Sequence, residues 1–65
     1  MEQVRQLINQ EEDEINRYLL EGYLFQQQPI KEMANALGFK HSATSQRIHR
    51  GLGRLRNKLS QQGWS

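Results

Sequence analysis

Apolar positions in the first third of the chain recur at three- and four-residue intervals. Val4, Leu7, Ile8, Ile15, Tyr18, Leu19 and Tyr23 follow this spacing, which predicts an amphipathic helical part over residues 1–25 with its acids on the opposite face. The pattern admits a break near Asn9 or Gln10. The polar run Gln26, Gln27, Gln28 followed by the single proline, Pro29, reads as a linker that closes one helical segment and opens the next. Ile30, Met33, Ala34 and Leu37 then share one stripe, predicting a short helix over 30–37. Gly38 ends it as a left-handed terminus. Phe39 is expected to turn inward while Lys40, His41 and Ser42 form a turn, with Ser42 capping a helix over 42–60. In that helix Ile48, Leu52, Leu55 and Leu59 make one apolar seam.

These elements predict an all-α, three- to four-helix bundle around Ile15, Leu19, Met33, Leu37, Phe39, Ile48, Leu52 and Leu55. Ser42, Gln46, Arg50, Gly53 and Asn57 turn away from the seam, flanked by Arg47, His49 and Arg54. Gly51 and Gly53 each cost the helix roughly 1 kcal/mol against alanine. Gly51 lies near the seam, where it suits close helix contact. Gly53 suits either a partner's close backbone approach or fraying. Trp64 is expected to fold back onto the core or to join a partner interface.

Length limits what such a bundle can do. A chain of 65 residues is one domain, 1–65, and buries only roughly 60% of its unfolded surface. With 35% hydrophobic residues and a mean hydropathy of -0.90, the core is thin, and a marginal monomer or a homodimer is expected. A large substrate pocket is not. The absence of cysteine excludes disulfides and zinc fingers as staples. No secretory signal or membrane-length apolar run is present, so a cytoplasmic, nucleoid-associated protein with no membrane partner is expected.

Charge adds a direction. Between Met1 and Glu32 seven acids face three bases, a net of -4; from Met33 onward Lys40, Arg47, Arg50, Arg54, Arg56 and Lys58 stand without a single acid, a net of +6. The second half is an anion-seeking surface. Catalysis finds no support: His41 and His49 have no carboxylate in their half to orient them, and no cysteine is available as a nucleophile. The run Glu11 to Glu14 lacks the glycine turn and alternating ligands of a calcium loop, and Gly51-Leu52-Gly53 follows no strand as a phosphate loop would. No catalytic residue, metal or cofactor is expected.

A short helix, a tight turn and a basic helix together make a helix-turn-helix pattern, which needs a small residue where the helices touch and a sharp turn between them. Ala34 and Gly38 supply both. Over residues 32–59, EMANALGFKHSATSQRIHRGLGRLRNKL resembles the region 4 helix-turn-helix of sigma-70-type factors, approximately EIAxxLGhSxxTVxxRhxRAxxxLRxxL with h apolar. Glu32, Ala34, Leu37, Gly38, Arg47, Arg50, Leu55, Arg56 and Leu59 fall on that pattern. Thr44 replaces its buried valine or isoleucine, Gly51 its alanine, and Lys40 its small hydroxyl residue. The stretch LGFKHSATSQRIHR is also similar to the LG...AVSQ..HR pattern of TrfB-type plasmid repressors, and the overall size resembles that of PapB-type fimbrial regulators.

The resemblance implies a stand-alone transcription regulator or a sigma-like fragment whose partner is double-stranded DNA. It places base reading at His41, Ser42, Ser45 and Gln46, with Gln46 suited to adenine and His41 to a guanine acceptor. Lys40, Arg47, Arg50 and Arg54 are expected on phosphates, giving affinity without sequence information. The rival expectation is a sigma-region-4-like interaction module that binds RNA polymerase or another regulator without reading DNA. A membrane-surface helix is a third reading, disfavoured because the seam lacks bulky aromatics.

Overall fold

The structure, a computed structural model, describes residues 2–61. Four helices follow in order: α1 (Glu2–Asn9), α2 (Glu14–Leu24), α3 (Ile30–Leu37) and α4 (His41–Gln61). The fold is all-α, with no strand among the described residues. Trp64 lies outside them.

Each boundary has a local cause. α1 stops where Gln10 N and Glu11 N bond to the carbonyls of Leu7 and Ile8, three residues back instead of four. Asp13 then caps α2, its Oδ1 accepting from Ile15 N at 2.8 Å and Asn16 N at 3.3 Å. These bonds satisfy two donors that the first turn of a helix leaves free. At the far end, Gln28 N bonds to Gly22 O, and Gln27 takes a left-handed φ of 53° to make the turn. Pro29 precedes α3 in an extended conformation, and its carbonyl accepts from Glu32 N and Met33 N. Gly38, at φ 72°, ends α3. Phe39 N reaches back to Ala34 O and Gly38 N to Asn35 O, the paired bonds of a Schellman terminus.

α4 opens two residues earlier than the capping role of Ser42 requires. Thr44 N bonds to Lys40 O at 3.1 Å, so the first turn closes on Lys40. Ser42 therefore sits inside that turn as an exposed residue.

α4 packs against all three other helices and forms the spine of the bundle. Towards its start, Ile48 meets Leu19 and Met33, with Ile15, Ile30 and Leu37 around them. Further along, Leu55 meets Leu7, Ile8 and Leu20, edged by Val4, Leu24, Phe25 and Leu59. Leu52 touches both groups. The core thus reaches further into the N-terminal half than the apolar seam alone indicates: Leu7, Ile8, Leu20, Ala34 and Thr44 are buried, whereas Ile15, Leu37, Phe39 and Leu52 are only partly so. Burying a leucine fully contributes roughly 1.5–3 kcal/mol, and Leu7 and Leu20 add to a core that composition makes thin. Tyr18 and Tyr23 remain 39% and 41% exposed.

Close contact between α2 and α4 depends on Gly51. A Cβ there would lie 2.9 Å from Leu20 Cδ2 and 3.0 Å from Cδ1. Only hydrogen fits.

Candidate nucleic-acid interface

The outward face of α4 follows from its seam. With Thr44, Ile48, Gly51 and Leu55 buried, a helix of 3.6 residues per turn turns the opposite stripe to solvent. Ser42, Gln46, His49, Arg50, Arg56 and Asn57 are exposed there. His41 is exposed at the helix start, Lys40 is exposed in the turn just before it, and Ser45 is half-buried. No acid lies anywhere on α4. Such a face offers hydrogen-bonding groups and positive charge on a rigid rod.

Thr44 occupies the most buried position of the first turns without leaving a polar orphan. Its Oγ1 donates to Lys40 O at 3.0 Å, so the hydroxyl is satisfied within its own helix.

The arginines divide into two kinds. Arg50 is exposed and makes no ion pair among the described residues. Arg54 grips Glu11 through Nε, at 3.2 Å from both carboxylate oxygens, and through Nη2, at 2.6 Å from Oε1. The Glu11 side chain is only 6% exposed, so this bond ties the corner between α1 and α2 to the middle of α4. The bond to Glu11 raises the pKa of the Arg54 guanidinium, against a smaller opposing effect of desolvation. Arg47 reaches Asn16 Oδ1 at 3.2 Å and Asp13 Oδ2 at 3.4 Å, and its guanidinium lies 5.4 Å from the centre of the Phe39 ring. The Asp13 carboxyl is held below its ordinary pKa, first by the backbone N–H of Ile15, then by that of Asn16, with Arg47 adding to both.

A second tie on α2 points the other way: Arg5 pairs with Glu21 at 2.8 Å and stacks 4.3 Å over the Phe25 ring. It closes the far edge of the bundle and leaves the outer face of α4 untouched.

The structure therefore brings Lys40, His41, Ser42, Gln46 and Arg50 to solvent at one end of α4. It places Arg47 and Arg54 along the flank that meets the N-terminal acids. Sequence reasoning did not foresee Glu11, Asp13 and Asn16 as neighbours of these arginines. A charge count by halves kept the acidic and basic segments apart, and no short-range spacing links residues 43 positions distant. His49 and Arg56 complete the exposed face. Among the described residues no group of three or more histidines or acids is placed to hold a metal ion, and no helix is long and apolar enough to cross a membrane.

Compared with known proteins, the chain matches no protein family, no curated protein and no solved structure.

Proposed function

We propose that this chain is a DNA-binding transcription regulator that inserts α4 into the major groove, with α3 and its turn forming the first half of a helix-turn-helix. One observation carries the reading: the first three turns of α4 present Ser42, Gln46, His49 and Arg50 to solvent, free of acids, on a helix anchored along its whole opposite side. A rigid, basic helix with an exposed outer face is what the major groove admits.

Gln46 takes the central base-reading role, because its amide can pair bidentately with adenine. His41, Ser42 and Ser45 contact neighbouring base edges, and Lys40 and Arg50 contact phosphates from either side. The Schellman terminus at Gly38 supports this assignment by bringing α3 close beneath α4, as a helix lying across the backbone requires.

Binding of a fluorescent mixed-sequence duplex, followed by anisotropy across a salt series, tests the reading. Affinity falls with salt, and Arg50→Ala shallows the logarithmic slope by about 1, the loss of one phosphate contact. No binding at low salt by folded protein would overturn it in favour of a module that engages RNA polymerase or another regulator.

A further inference from the structure

Between the start of α2 and the middle of α4 lies an open depression lined by Asn16, Arg47, Arg50 and Arg54. Three guanidiniums beside one depression repel each other, yet two have acids behind them. Arg54 spends Nε and Nη2 on Glu11. Arg47 spends Nη1 on Asp13 and Asn16. A guanidinium carries five N–H donors in a fixed fork. The pairs leave Nη1 of Arg54, together with Nε and Nη2 of Arg47, unspent among the described residues.

The two acids are themselves fixed. Glu11 is buried, and its backbone carbonyl accepts from Arg17 Nη1. Asp13 is held by the backbone N–H groups it caps. Glu11 therefore sets the plane of Arg54 through two nitrogens, Asp13 with Asn16 holds Arg47 at one, and the fold sets both acids. A fork already held in place loses less rotamer freedom when it closes on a phosphate.

We propose that Glu11 and Asp13 are positioning residues, which aim the unspent donors of Arg54 and Arg47, beside the free Arg50, at one phosphodiester of a duplex backbone. The inference rests on the DNA-binding reading above and names the seat of a phosphate within it.

Simple charge counting predicts the opposite sign. An acid beside bound DNA repels it, so neutralising Glu11 should tighten binding. If Glu11 instead positions Arg54, Glu11→Gln weakens duplex binding by about threefold to tenfold, the range of a charge-assisted hydrogen bond partly lost.

A double-mutant cycle separates positioning from general loosening of the fold. Duplex affinity is measured for wild type, E11Q, R54Q and the double variant, with circular dichroism melts confirming that each is folded. Positioning predicts that E11Q weakens binding in the wild-type background and changes it less than twofold once Arg54 is gone. Tighter or unchanged binding by E11Q, or equal weakening in both backgrounds, overturns the proposal. The parallel cycle of D13N with R47Q keeps it falsifiable if E11Q fails to fold, because asparagine still caps a helix. A folded wild type that binds no duplex refutes the DNA reading itself, whereas a wild type that binds and an E11Q that binds more tightly refutes only the positioning role.

Discussion

Two glycines stand two residues apart on α4, and replacing each with alanine is predicted to move stability in opposite directions. Both substitutions gain about 1 kcal/mol of helix propensity. At Gly53 nothing lies within 4 Å of the added Cβ, so the gain stands and Gly53→Ala stabilises by that amount. At Gly51 the Cβ meets Leu20 Cδ2 at 2.9 Å, Cδ1 at 3.0 Å and Cγ at 3.2 Å. Leu20 is fully buried and in a cluster with Leu7, Ile8 and Leu55, so its retreat displaces other core atoms. Overpacking of this kind costs about 1–3 kcal/mol. The net effect of Gly51→Ala is then a loss of up to about 2 kcal/mol once the propensity gain is subtracted. Propensity cancels between the two variants, which leaves the overpacking cost as the difference between them. For a domain this small, 1 kcal/mol corresponds to about 4–8 °C in Tm. Thermal melts followed by circular dichroism read this directly. If Gly51→Ala melts at or above Gly53→Ala, the α2 and α4 backbones do not approach as described.

Three further outcomes are expected. Thr44→Val keeps the buried shape and removes a hydroxyl whose acceptor, Lys40 O, retains the backbone bond from Thr44 N; urea denaturation should show it neutral or stabilising, because no orphan is created. Gln27→Gly should stabilise by roughly 0.5–1 kcal/mol in the same assay, since a left-handed φ costs a side-chain-bearing residue more than glycine's added chain entropy. Asp13 has a folded pKa below its ordinary 3.8, so its contribution to stability is complete above that pH and is lost as pH falls through the lower folded value. The Tm gap between wild type and Asp13→Asn should therefore narrow as the pH falls below 3.8.

Local patterns carried much of the fold. The stripe Ile30, Met33, Ala34, Leu37 followed by Gly38 marks α3 and its left-handed end, because a single helix and its terminus depend on neighbours in sequence. The seam Ile48, Leu52, Leu55, Leu59 marks the inner side of α4 for the same reason. Asp13 was hidden in an acidic run that reads as a solvated face, although an aspartate just before Glu14 and Ile15 has the form of a helix cap. The pairings of Glu11 with Arg54 and Asp13 with Arg47 were beyond reach, since they depend on how the α1–α2 corner folds over α4. They alter the reading of the basic half: Arg47 and Arg54 are structural ties as well as candidate phosphate contacts, and Arg50 alone of the three has no acid partner among the described residues. Gly22 was equally silent in the sequence. Its missing Cβ would stand 2.7 Å from Met33 Sδ, a contact between α2 and α3 that no periodicity reports.

The central claim is that the outer face of α4 meets DNA, and amide chemical-shift mapping of labelled protein titrated with a duplex tests it most directly. The account predicts that the largest shifts fall on Lys40, His41, Ser42, Gln46, His49 and Arg50, with a second group at Asn16 beside the arginines. Shifts concentrated instead around the exposed Tyr18 and Tyr23 of α2, or none at low salt in a folded protein, would contradict it.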